Sequence, residues 1–138
     1  MAIRLPVVRH FIACEDVEPS QDGRQYTLRN LVHAIRPLPG EAYPCLHPEV
    51  CLFVLMTDVY EQHRIRVELV FWHQPADETS IYTTREGILN LGSDPLIVHG
   101  LPIRLRNLLF PNAGLYEFRL WCDGQIIARE TILLREEN

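Results

Sequence analysis

The last quarter of the chain, Phe110 to Leu134, constrains the fold more than any other stretch. It runs Phe-Pro-Asn-Ala-Gly-Leu-Tyr-Glu-Phe-Arg-Leu-Trp-Cys, then Asp123-Gly124, then Gln-Ile-Ile-Ala-Arg-Glu-Thr-Ile-Leu-Leu. That order reads as a turn, a strand, a two-residue turn and a closing strand. Asn112, Gly114, Tyr116 and Phe118 fall at alternate positions, the spacing of a tyrosine corner in an immunoglobulin-like sandwich. There the tyrosine hydroxyl caps backbone at a sheet edge while its ring enters the core. The pattern defines an architecture and carries no reaction.

The rest of the chain agrees. Period-2 alternation and turn signals recur every ten to fifteen residues, and no window carries a helical stripe. Strands are expected at Leu5–Cys14, Tyr26–Ile35, Glu49–Val59, Arg64–His73, Thr79–Thr84, Pro102–Phe110, Leu115–Cys122 and Gln125–Leu134. Glu15–Arg24 reads as a polar loop, Pro37–Pro48 as an extended connection between sheets, and Tyr60–His63 as the tip of a hairpin. Arg85–Pro95 is irregular, with room for one more short strand or a single helical turn. In the closing hairpin, a simple two-residue turn puts Arg129 on the face of Phe118, whereas a bulge puts Glu130 there. The chain is therefore expected to be all-β: one antiparallel sandwich over residues 1–138, immunoglobulin-like or C2-like, with seven to nine strands.

Composition narrows the function classes. All thirteen basic side chains are Arg, so no lysine chemistry is available. The net charge is −5 and no basic run occurs, which speaks against nucleic acid as a partner. The longest apolar run, Val50–Met56, is far short of the ~20 residues of a membrane span, and the N-terminus lacks a signal-peptide core, so a cytoplasmic protein is expected. Cys14, Cys45, Cys51 and Cys122 have neither C-x-x-C spacing nor a secretion signal beside them, so four free thiols are expected.

The closing residues combine with three upstream landmarks. These are the Asp22-Gly23-Arg24 turn leading into Leu28–Ile35, the Pro44-Cys-Leu-His-Pro48 segment before an apolar strand, and Phe110-Pro-x-x-Gly-x-Tyr-Glu-Phe118. Together they resemble a family of bacterial β-sandwich proteins of unknown function. The resemblance spans most of the chain, implies a compact cytoplasmic sandwich and imports no activity.

Candidate chemistry is sparse. Asp58, Glu61 and His63 cluster near one turn and alone could make a weak surface site, but His73 lies about 30 Å away along the next strand at ~3.3 Å per residue and cannot join them. Cys45 and His47 suggest a nucleophile pair, yet nothing nearby offers an orienting group or an oxyanion hole. No metal and no cofactor is expected. A better lead is a set of arginines on polar strand faces: Arg64 and Arg66, Arg104 and Arg106, and Arg119, with Glu68 and Glu117 interleaving wherever the strands are neighbours. Trp72 and Trp121 alternate out of phase with their strands' core residues and are candidate contact anchors. Tyr116, Gly114, Asp123 and Gly124 carry structural roles. The leading expectation is a non-catalytic protein-interaction or assembly module, binding a partner protein or itself as a homo-oligomer. An anion or small-ligand domain using an arginine-lined face comes second, and a cryptic metal-dependent enzyme third.

Overall fold

The computed structural model describes residues 4–74, 77–92 and 94–136, with the side chains of Glu61, His73 and Gln74 left out. Those residues form ten strands and no helix. In chain order they are β1 (Val7–Pro19), β2 (Tyr26–Leu31), β3 (Ala34–Ile35), β4 (Cys45–Thr57), β5 (Glu61–Gln74), β6 (Asp77–Thr83), β7 (Gly87–Gly92), β8 (His99–Phe110), β9 (Gly114–Cys122) and β10 (Gln125–Leu134). One sheet has the order β2-β1-β4-β8. The other runs β3-β10-β9-β5-β6, with β7 pairing a different stretch of β5. Ten strands exceed the expected seven to nine because Tyr26–Ile35 breaks into β2 and β3 and the irregular stretch before Pro95 holds β7.

β4 explains how the sheets stack. Val50, Leu52, Val54 and Met56 turn toward the shared core and join Leu69 and Phe71 of β5 and Phe118 and Leu120 of β9. Burying each such side chain contributes roughly 1.5–3 kcal/mol relative to exposure. Cys51 and Phe53 turn the other way, into a second apolar cluster with Cys14 and Val17 on the outer side of the four-stranded sheet. A strand apolar on both sides is one that is covered on both.

The hairpin expected across Tyr60–His63 does not form. β4 pairs with β1 and β8, whereas β5 pairs with β9, β6 and β7, so the chain crosses between sheets at residues 58–60. The difference between the two strands is the reason. β4 needs apolar cover on both faces, while β5 keeps Arg64, Arg66 and Glu68 on an outward face. Asp58 takes the sharp bend at φ 60°, a conformation Asp tolerates better than most residues. The expected loop Glu15–Arg24 is also shorter than read, since β1 continues to Pro19.

The tyrosine corner is present. Tyr116 is fully buried; its hydroxyl donates to the Asn112 carbonyl at 2.7 Å and accepts the Asn112 N–H at 3.2 Å. Its ring stacks on Phe71, with centroids 4.6 Å apart, and meets Phe110 edge-on. In the closing hairpin Asp123 and Gly124 both have positive φ, 50° and 80°, as a type I′ turn demands. A bulge follows at Ile127 and shifts the register, so Glu130 faces Phe118 and Arg129 lies opposite Arg119. Both devices operate, and Glu130 is the charge brought to the inner side.

Candidate functional site

The outward face of the six-stranded sheet carries part of the expected arginine set. β5 and β9 are neighbours, which places Glu68 opposite Arg119 and Arg66 opposite Trp121. Arg119 is only 6% exposed although it points away from the core. Its Nε donates to Glu117 at 2.7 Å, and its two Nη groups donate to both oxygens of Glu78 at 3.0 and 2.7 Å. Glu117 also accepts from Arg129 at 3.0 Å. The tryptophans are half-buried lids on this network. The Arg119 guanidinium sits 5.6 Å from the Trp72 ring and that of Arg66 4.4 Å from Trp121, whose indole N–H donates to Glu68. The carboxylates of Glu78 and Glu117 thus already close the Arg119 fork, which leaves that guanidinium unavailable as a clamp for an external anion.

The remaining arginines do not join it. Arg104 and Arg106 lie on β8, in the other sheet. Arg104 is held by Asp16 at 2.8 Å and Glu49 at 3.4 Å, and its hydrogen bond keeps the Asp16 carboxyl below the usual range. Arg64 pairs with Glu86 at 3.4 Å on the exposed surface. One continuous arginine-lined face is therefore not what the fold builds.

His63 leaves Asp58 and turns inward to the closing hairpin. Its Nδ1 lies 2.7 Å from Asp123 Oδ2, and its Nε2 accepts the Tyr60 N–H at 3.1 Å. Asp123 Oδ1 accepts the Arg64 N–H at 2.9 Å. Burial acts to raise the Asp123 pKa, but the Arg64 N–H and the His63 ring outweigh it and hold the carboxyl low. His63, Asp123 and Cys122 each offer a donor atom within 4.8 Å of the others, a grouping with ligand character. The tautomer argues against a metal there. An ion on Nδ1 would force the ring proton onto Nε2, against the donating Tyr60 N–H. The cluster ties the crossover, β5 and the closing turn together. Sequence reasoning missed it because sixty residues separate the partners and Asp123 already had a role as a turn residue. The side chains of Glu61 and His73, the other ligand candidates, lie outside the described residues.

The cysteines are buried free thiols. Burial pushes Cys14 up to about 11 and Cys122 up to about 12, and raises Cys45 and Cys51 as well. Burial also lowers His47. Cys45 and His47 are thus each shifted toward the neutral form, the opposite of a thiolate–imidazolium pair.

A concave surface lies on the outer side of the four-stranded sheet. β1 pairs with β4 only as far as Cys14; beyond that it pairs with β2, and the β1–β2 hairpin folds over the sheet. The hairpin tip is set by Gly23 at φ 71° and by Asp22 and Ser20, whose side chains accept the Arg24 and Gln25 N–H groups. The Arg104–Asp16 pair fastens the hairpin to β8. Tyr26 thereby packs on Phe53, with centroids 4.9 Å apart, and its ring tip lies over Gly100. What remains is a groove of about 630 Å³ walled by Ile12, Tyr26, Leu28, Phe53, Leu55 and Val98. At its end Leu96 is 86% exposed, followed by the exposed Ile97 and Val98. None of the binding residues expected from sequence lines it. Its signal was the run Val50–Met56, apolar on both faces where no helix among the described residues covers the outer one.

The chain belongs to a family of unknown function, DUF6941, whose model matches residues 9–135. No curated protein sequence matches it. Among solved structures it is similar to the Pseudomonas fluorescens alkylpurine DNA glycosylase AlkC bound to DNA containing an abasic site analog. The TM-score is 0.56 at 7% identity, over 97% of this chain and 31% of the glycosylase, so the chain spans about a third of that protein's length. At this identity the likeness is one of fold. It still corrects one expectation: a chain of similar fold occurs in a DNA-bound protein, so composition alone does not remove nucleic acid from the partners of such a domain. No helix in the described residues is long and apolar enough to cross a membrane.

Proposed function

We propose that this chain is a non-catalytic protein-interaction module of the cytoplasm, built as an immunoglobulin-like or C2-like sandwich, that docks a partner protein on the outer side of its four-stranded sheet. The observation that carries this reading is the apolar groove between Tyr26 and Val98, continued by the exposed Leu96 and Ile97. Contiguous exposed apolar surface rimmed by polar residues is the usual mark of an interaction site. The polar clusters elsewhere are closed on themselves, which favours binding over chemistry. The net charge of −5 sets copies of the chain apart and favours a different protein over self-assembly.

Photo-crosslinking tests the reading. Benzoylphenylalanine replacing Ile97 is expected to yield one discrete adduct in cells. The same residue replacing Thr131, exposed on the other sheet, is expected to yield none. Equal labelling at both positions, or no adduct at Ile97, would overturn it.

A further inference from the structure

Resting on that reading, we infer that the groove takes an extended segment of the partner whose apolar side chains are flanked by a carboxylate. The charge distribution is the first ground. The basic residues lining the groove are Arg24 and His10, with no carboxylate among the lining, on a molecule whose net charge is −5. The nearby acids are engaged: Asp22 accepts from Ser20 and from the Arg24 backbone, Asp16 pairs with Arg104, and Glu18 pairs with Arg29 at 2.6 Å. The Arg24 guanidinium has no ion-pair partner among the described residues, and so it is the group free to meet an incoming carboxylate.

The shape of the apolar surface is the second ground. Beyond the groove wall, the residues that precede Val98 in the chain, Ile97 and Leu96, are exposed apolar side chains outside the cavity. A small apolar acid filling the groove would leave those two side chains in water. An extended polypeptide, whose side chains alternate at about 3.3 Å per residue, covers groove and extension together. Arg24 and Val98 both line the groove, so the acidic flank and the apolar anchors are read by different parts of one surface.

The test is panning of a random peptide library over the immobilised full chain, with the Val98→Asp chain as the subtraction control. Val98 is exposed, so that variant is expected to fold, and its thermal melt checks this. Peptides retained by the native chain should combine apolar residues at alternate positions with a neighbouring Asp or Glu. In fluorescence anisotropy the best of them should lose at least about tenfold in affinity to Arg24→Glu, a difference of about 1.4 kcal/mol. Its affinity should also fall as salt rises. No retention beyond the Val98→Asp control, no acidic bias, or indifference to Arg24→Glu would overturn the inference. So would binding of sodium dodecanoate in place of peptides, or self-association abolished by Val98→Asp. Crosslinking through Ile97 does not depend on an acidic partner. An adduct there combined with a library lacking acidic bias would remove this inference and leave the module reading standing.

Discussion

Tyr116 and Gly114 show how much one residue can fix. Tyr116→Phe removes the hydroxyl that serves both backbone groups of Asn112, and urea unfolding should register a loss of about 1–2 kcal/mol. Gly114→Ala should cost more. Gly114 holds φ at 142°, and an added Cβ would sit 2.8 Å from the Phe71 ring that Tyr116 stacks on. Backbone strain alone is on the order of 1–3 kcal/mol, before the packing is disturbed. Glu130 behaves in the opposite sense. Burial raises its pKa, and the Ala13 and Thr131 N–H groups only partly offset the shift. Because the folded value lies above the unfolded one, the charged form opposes folding at neutral pH, and the opposition is relieved as pH falls through the folded value. Glu130→Gln is therefore expected to raise the melting temperature at neutral pH, and melts repeated in acid should show the advantage shrinking.

At the scale of strands, local pattern was legible and pairing was not. The alternation in Arg64–His73, the Asp123-Gly124 turn and the corner spacing at 112–118 all correspond to what formed, because each is decided within a few residues. The partner of β4 was not legible, since a short polar stretch serves a hairpin and a crossover equally well. What separated them was the run Val50–Met56, whose double-sided apolarity called for cover on two sides. The same limit hid most of the candidate site. The apolar groove joins residues of β1, β2, β4 and the segment before β8, and Glu78 reached Arg119 from just outside the expected strand Thr79–Thr84. Only the Glu68–Arg119–Glu117 interleaving was visible beforehand, as a consequence of β5 and β9 being neighbours. The His63–Asp123 tie is the element-scale prediction. Asp123→Ala removes the acceptor of the Arg64 N–H and the His63 proton, and should cost about 1.5–3 kcal/mol in urea unfolding, the range of hydrogen bonds to a charged group. Asp123→Asn keeps an acceptor and tolerates the positive φ, so it should cost clearly less.

For the whole molecule, the division of labour between the two outer surfaces matters most. The six-stranded sheet closes Arg119 with acids and a tryptophan, while the four-stranded sheet carries the apolar groove. Leu96→Asp and Val98→Asp should change stability by no more than about 0.5 kcal/mol, as substitutions at exposed positions do. They should nonetheless reduce the binding of an apolar dye such as ANS to the native protein, which separates a surface made for contact from one that supports the fold. Gly100 adds a consequence of another kind. The atoms nearest an added Cβ there belong to the tip of the Tyr26 ring, which can swing aside, and not to backbone. A side chain at position 100 would therefore displace that ring from its packing on Phe53, reshaping the recess while leaving the core shared by the two sheets untouched. If the four-stranded sheet docks a partner as proposed, position 100 reshapes the docking recess without any constraint from the common core.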